Sequence, residues 1–470
     1  MKNGDFYKLA WFKKLKNYSA SYNDGRTNGS DRNKLWRDLS NLCVCAVLLG
    51  WNADLAAGNH AVASTPVTKI QPPVITVWTH EDIDSLEFAV LKMAAEKFNR
   101  RQAVYQVAIT SSLGREYQSW VDLEAANGTL PCLLEFDGPL LAKFAWLQYL
   151  RPIDQFVSSE LLNDFLPSIV AQGTYHGRLY SLGQYDSGMG LWGNRRYLLA
   201  AGVRIPTLQS PWNLMEFEDA LAKLTALENV DYAISFSLYA RNSEFYSYAY
   251  SPILQGFGGD LIDRRTYRNA KGVLDGHQSV TALKYFQRWI EKGWSRVVFD
   301  RENDFEMGKT ALSWMGHWAY RFYRKPLGKN LVLLPLPDFG NGIKTGMGSW
   351  SWGISSTCHA PAGAWAFLAE LLSTQEIVHM TNVNHAIPAR RSALAQSPLY
   401  GPQGPLRFFV HQLAIGGTSR PTTPAYGTIS KTFAEAVTNI VTGADVQSEL
   451  SKAAEIIDQD IAAHRGYPYP

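Results

Sequence analysis

The sequence predicts an α/β protein organised around parallel strands, and two strand-helix patterns carry that expectation. After the Pro72-Pro73 breaker, residues 74–78 (VITVW) form an unbroken apolar run of strand length and composition, the pattern of a parallel strand buried on both faces. Residues 82–99 follow with Leu86, Val90, Met93, Ala94 and Phe98 at helical spacing. A second strand at 105–110 (YQVAIT), a helix at 117–126 and a third strand at 133–136, closed by Asp137-Gly138, complete a β-α-β-α-β order. That order implies a parallel sheet with right-handed crossovers and helices on both faces. Ligands bind such sheets beyond the carboxyl ends of the strands, which singles out the loops at 79–81, 111–114 and 137–138.

The second pattern starts near Gly188 with MGLWGNRRYLLAAGV, continues through an amphipathic helix at 214–227, and includes a strand at 232–236. Helical periodicity returns at 280–292, 365–372, 432–440 and 446–464. There is no internal repeat, long linker or heptad run, so two α/β lobes would have to share several chain crossings instead of one tether.

At 470 residues the chain is long enough for two to four folding units, and 46% apolar with 19% charged residues excludes wholesale disorder. The first 63 residues hold nine of the 45 Lys/Arg and five of the 42 Asp/Glu, so the remainder is almost neutral and offers no basic face for nucleic acid. Fifteen tryptophans are in excess, serving either well-filled cores or flat platforms for a ligand.

Residues 42–51 (LCVCAVLLGW) are apolar, follow Lys34 and Arg37, and precede small residues ending Ala61-Val62-Ala63. This is the order of a secretory signal peptide, and the run is too short to span a bilayer, which takes about 20 residues. Leu55-Ala56-Ala57 is an alternative cleavage site, and no Cys follows the apolar run, so a lipid anchor is not expected. The 33 residues ahead of Lys34 are too long for an ordinary leader, and a start at Leu35 would supply a short one. Cys43 and Cys45 would leave with the leader; Cys132 and Cys358 would remain as two buried thiols or, in an oxidising compartment, as a disulfide.

The order of several segments resembles the family 1 extracellular solute-binding proteins, the maltose-binding-protein-like receptors of ABC importers. The residues that carry the match are VITVWTH, LYSLGQYDSGMGLWGNRRYLLAAGV, SPWNLMEFEDALAKLTA, YSPILQGFGGDLID, FEMGKTALSWMGHWAY, LVLLPLP, GSWSWGIS, PAGAWAFLAELLSTQE and RPTTPAYGTIS, spread over residues 74–464. The resemblance implies a type II periplasmic-binding-protein fold, two discontinuous α/β lobes joined by a hinge. Residues 1–63 would form the N-terminal extension and signal peptide. Residues 64–183 plus 333–372 would form the N-terminal lobe, and 184–332 plus 373–470 the C-terminal lobe. Crossovers near 181–184 and 331–334 would make the hinge. In the family the strand after the second crossover returns antiparallel beside the third, which would bring Cys358 near Cys132.

Sugar recognition needs aromatic faces against the apolar faces of a pyranose and planar polar groups for its hydroxyls. The resemblance puts Trp318 where the family stacks a ring on the sugar, Phe136 and Tyr248 at two further aromatic positions, and Tyr185 beside the first crossover. Core packing is the alternative for each, and it is family position that favours the ligand for Trp318, whereas Phe136 and Tyr248 are equally at home in a core. Asp137 and Asp186 are the leading hydroxyl acceptors; His80 and Glu81 follow the first strand, where Glu81 suits a helix N-terminus as well and Asp82 would cap that helix. Arg241, His317 and Arg390 lie in or next to family cleft loops. Trp350 and Trp352 share one strand face, and family position favours Trp350 as the member facing ligand. Where maltose-binding proteins carry a late Trp this chain has Ser430, a departure that points away from long maltodextrins and towards a mono- or disaccharide.

The expected protein is therefore a periplasmic, monomeric sugar receptor serving a membrane permease with its cytoplasmic ATPase, with no cofactor, no metal and no catalysis. A carbohydrate-active enzyme would use paired carboxylates, but the G-x-S-x-G, H-E-x-x-H and P-loop motifs are absent. A receptor for a glycerol phosphodiester would want an Arg cluster, for which Arg241 and Arg390 are available.

Overall fold

The computed structural model describes residues 71–111, 116–297 and 303–469. The proposed signal segment and the extension before it lie outside the described residues, as do Ser112–Gly114 of the second loop singled out above.

Among the described residues nine strands build the two main sheets: β1 (Val74–Thr79), β2 (Gln106–Ser111), β3 (Leu133–Asp137), β4 (Ser181–Leu182), β5 (Met189–Asn194), β6 (Tyr232–Ser235), β7 (Thr310–Gly316), β8 (Leu331–Leu334) and β9 (Trp350–Ile354). The first sheet has the order β2-β1-β3-β9-β4. Its β1, β2 and β3 are parallel, as the β-α-β-α-β pattern requires, and β9 returns antiparallel to β3 with Trp350 opposite Asp137 and Trp352 opposite Glu135. The second sheet has the order β8-β5-β7-β6, with β7 parallel to β6 and antiparallel to β5.

Local chemistry explains the boundaries. The helix Leu86–Arg101 starts at Ser85, whose side chain accepts from the Phe88 N–H; Asp82 is not its cap. The helix Leu214–Thr225 opens with a capping box between Asn213 and Glu216, and Phe217, Ala220, Leu221 and Leu224 give it a buried stripe. Strand β1 differs from expectation. Ile75 and Val77 are fully buried, but Val74 and Thr76 on the other face are exposed. Only Trp78 on that face is covered, by Trp120 of the helix Tyr117–Ala126, stacked at 4.0 Å. Strands β5 and β7, by contrast, are buried along their whole length.

Each sheet has its own core. Ile75, Val77, Leu91, Trp352, Phe367 and Leu368 belong to the first, and Leu191, Phe217, Phe286, Trp289, Trp314 and Phe433 to the second. The core of the first sheet also takes Ile377, Met380, Ala386, Ala389 and Ala393, whereas the division drawn from the sequence gives 373–470 to the other lobe. The helix Thr374–Asn384 packs on the helix Leu86–Arg101, and Lys97 links it through Glu376 at 2.8 Å. Strand β8 hydrogen-bonds along its whole length to β5, so the chain leaves the second sheet after Leu334.

The crossing from β4 to β5 is fixed from both sides. Gln184 donates to the Leu371 carbonyl at 2.9 Å and accepts from the Ala389 N–H at 3.1 Å, and Tyr185–Asp186 pairs with Ile387–Pro388. Cys132 and Cys358 form a disulfide with Cα atoms 4.4 Å apart, just before the start of β3 and just after the end of β9, which runs back along it. Among the described residues no helix is long and apolar enough to cross a membrane.

Candidate functional site

A cavity of about 600 Å³ lies between the β1, β3 and β9 ends of the first sheet and the β7 end and helix termini of the second. Its wall from the first sheet begins at the carboxyl end of β1. There His80 lies flat on Trp350, with ring centroids 3.5 Å apart and planes 2° apart, and Tyr117 meets Trp350 edge-on. His80 Nδ1 is 2.9 Å from Glu135 and its Nε2 is 3.2 Å from Glu81. Burial alone would lower the His80 pKa, but Glu135, Glu81 and Asp137 outweigh it and hold the pKa above its ordinary value. Burial pushes the Glu81 carboxyl up to about 7 against the pull of His80.

Alternation along β3 decides which side chains face this wall. Glu135 and Asp137 point one way; Leu134 and Phe136 point the other. Phe136 is fully buried and packs edge-to-face on Phe144 at 5.3 Å, so it is a core residue and not a cleft platform. The same alternation separates Tyr185 and Ser187, which line the cavity, from Asp186, which does not. The Asp186 carboxylate accepts from the backbone N–H groups of Ser187 at 2.8 Å and Gly348 at 3.1 Å, and burial raises its pKa. It shapes the wall from behind.

The opposite wall comes from the second sheet. Trp318 follows β7, half-buried, with Tyr248 at 6.0 Å and Phe245 edge-on at 6.4 Å. A Cβ on Gly316 would lie 2.2 Å from the Trp318 ring, so this close approach requires glycine. His317 lines the cavity beside Trp318, and burial pulls its pKa down to about 3, which keeps it neutral. The Tyr248 hydroxyl meets Ser187 Oγ at 2.9 Å.

Arg420 joins the walls. Its guanidinium donates to both oxygens of Asp137, each at 3.0 Å, and to Glu244, which also accepts from the Tyr426 hydroxyl. The Arg420 side chain is 4% exposed, while Asp137 and Glu244 keep 18% and 34%, so both carboxylates still reach the cavity. Burial pushes Glu244 up to about 7 despite Arg420. Glu87 and Arg321 form a second ion pair between the walls, at 3.4 Å. Gly348 is in the left-handed region at φ 120° and leaves room for the Arg420 Nη2, which a Cβ would approach to 3.0 Å.

Of the residues singled out from the sequence, the structure brings together Trp318, Asp137, Tyr248, His80, Glu81, Tyr185, Trp350 and His317, and adds Ser430 to the lining. Trp352 is buried one pleat deeper than Trp350. Arg390 is outside: it pairs with Asp164 at 2.7 Å and donates to the Leu372 carbonyl at 2.8 Å, fastening the crossing. Arg241 is exposed and outside, although its neighbours Asn242 and Ser243 line the cavity. Arg420, Glu244 and Tyr426 were missed. Arg420 opens the segment RPTTPAYGTIS, but nothing local distinguishes it from a solvated arginine, and its carboxylate partners are 176 and 283 residues away in the chain.

Among the described residues no group of His, Cys, Asp and Glu has the arrangement of a metal site. The maltotriose-binding protein of Pyrococcus abyssi (strain GE5 / Orsay) is 21% identical over 314 residues, 65% of this chain and 63% of that protein. The chain thus spans less than two thirds of the length of the curated relatives it matches. The GacH receptor of Streptomyces glaucescens, solved unliganded and with acarbose, superposes with a TM-score of 0.69 at 20% identity, covering 84% of this chain and 98% of that one. The sugar-binding protein MalE of Xanthomonas citri superposes with a TM-score of 0.70 at 18% identity, covering 83% and 98%. These likenesses give the fold: two α/β lobes of the type II binding-protein class. Residues 93–401 match the family described as bacterial extracellular solute-binding protein, and the chain belongs to that family.

Proposed function

We propose that the protein is the exported receptor of an ABC importer, closing its two lobes on a mono- or disaccharide and delivering it unchanged to a membrane permease driven by a cytoplasmic ATPase. The observation that carries this reading is the composition of the cavity. Trp318, Trp350 and Tyr248 offer aromatic surfaces, and Asp137 and Glu244 present carboxylate oxygens that accept hydroxyl hydrogen bonds. The names of the relatives point the same way, one being called for maltotriose and another solved with acarbose. The order of leader, apolar run and small residues supports a periplasmic address, and the receptor is expected to act as a monomer.

A phosphodiester is the poorer ligand. A phosphate wants free guanidinium forks, yet Arg420 is held by Asp137 and Glu244, Arg321 pairs with Glu87, and Arg390 is spent on Asp164 outside the cavity. The test is a thermal-shift screen of the exported protein against mono- and disaccharides and glycerol phosphates, since ligand bound only by the native state raises Tm. A rise with a saccharide is expected, with no product on chromatography. A rise with glycerol phosphates alone would replace the sugar, and hydrolysis would make the protein an enzyme.

A further inference from the structure

The chain does not stop at its last helix. The helix Val446–Ala463 buries Val446, Leu450, Ala453, Ala454, Ile457 and Ile461 in the core of the second sheet. Beyond it Arg465, Gly466 and Tyr467 all adopt left-handed backbone, with φ of 54°, 74° and 54°. For Arg and Tyr this conformation is strained, and strain of this kind persists only where surrounding contacts hold it. They do so here. The Gly466 N–H donates to the Ile461 carbonyl at 2.7 Å, Arg268 donates to the Arg465 carbonyl at 3.3 Å, and a Cβ on Gly466 would collide with that Arg268 guanidinium. The Tyr467 ring stacks on His464, and its hydroxyl donates to Asp460 at 2.7 Å. The turn is thus part of the second lobe.

Its outer side grips the first. Trp146, at the end of the helix Leu141–Trp146, meets Tyr467 edge-on at 5.0 Å and donates its Nε1–H to the Pro468 carbonyl at 2.8 Å. The Tyr469 hydroxyl meets that of Tyr180 at 3.0 Å, and its ring lies 4.4 Å from His176. Tyr180 belongs to a core cluster of the first sheet and directly precedes β4, where the chain crosses to the other lobe. None of these residues lines the cavity.

We infer that the C-terminal segment 465–469 is a second tether between the lobes, placed beside the crossover, which stabilises the arrangement in which the cleft ion pairs are made and so sets ligand affinity from outside the cleft. The same conformation contains both the tether and the two ion pairs that join the cavity walls, Asp137–Arg420–Glu244 and Glu87–Arg321. A ligand that needs the closed form binds more weakly when that form is less populated. The affinity part of this inference rests on the proposed receptor function; the shape part does not.

The experiment compares the full chain with Tyr469→Ala, Trp146→Phe and a chain ending after His464, using small-angle scattering without ligand and titration with whichever saccharide raises the Tm of the parent. The expected result is a larger radius of gyration for the truncated chain and an affinity loss of about fivefold or more, with smaller losses for the two substitutions, which keep the core and avoid dependence on the truncated chain folding. Unchanged scattering together with affinities within about twofold of the parent would overturn the tether. If no saccharide binds the parent, the sugar-receptor reading fails, and the tether then stands or falls on scattering alone.

Discussion

At the scale of single residues, the environment of the Glu81 carboxyl moves it well away from the ordinary carboxylate range. Burial and Glu135 push it up, His80 and Ser85 pull it down, and the balance lies at about 7. Between its ordinary 4.5 and about 7 the folded protein therefore keeps a proton that the unfolded chain has released. Linkage makes that contribution to stability fall as pH rises through the window. Glu244 has the same sign, and His80, whose pKa is raised, contributes stability that is present below 6.5 and lost as pH rises through its folded pKa. His317 has the opposite sign, losing stability as pH falls below 6.5 towards about 3. The whole-protein profile mixes these, so the informative quantity is a difference. Glu81→Gln should gain Tm relative to the parent progressively from pH 4.5 to about 7; a difference flat across that range in thermal melts would contradict the assignment.

Elements decide where the aromatic platforms point. Strand β7 ends at Gly316, and its missing side chain is what lets the Trp318 ring fold back against the backbone and face the cleft. Gly316→Ala should therefore displace the ring without touching ligand. Losing a stacked aromatic surface costs roughly 1.5–3 kcal/mol, about 10- to 150-fold in Kd. Calorimetry should find Gly316→Ala and Trp318→Ala weakened to a similar degree, and an undiminished affinity in Gly316→Ala would separate Trp318 from ligand. On β3, alternation sends Asp137 to the cavity and Phe136 to the core, whereas Trp350 and Trp352 share one face of β9 and differ by position, Trp350 lying over His80 at the strand end opposite Asp137 and Trp352 buried one repeat further in. The strand positions were legible in the apolar runs. Which face of β3 looked outward was not, because period two gives two faces without saying which sheet neighbour or helix covers either.

For the whole molecule, Cys132–Cys358 joins positions 226 residues apart and pins the end of the return strand β9 to the start of β3. Cross-links of this kind contribute roughly 2–4 kcal/mol. Replacing both cysteines by serine should lower the unfolding free energy by that order, seen as a lower denaturant midpoint, while leaving ligand affinity intact, since neither residue lines the cavity. A midpoint indifferent to the double substitution and to reductant would deny the bond a stabilising role. The cavity itself is a property of this scale, for Asp137 and Glu244 are brought to one arginine by two sheets and three crossings of the chain.

By itself the sequence determined the α/β class, the first three parallel strands with the helices between them, several of the longer later helices, and the resemblance to the family. Periodicity is a local quantity, fixed by what each stretch must bury, and the family came from the resemblance of ordered segments. Only the tertiary structure decided that Arg420 bridges the cleft, that Arg390 and Asp186 serve the crossings behind it, and that the helix Thr374–Asn384 stays with the first core. Those outcomes depend on which distant charges and apolar faces meet. A buried ion pair is selected by the geometry of the partners it finds, and no spacing along the chain encodes that geometry.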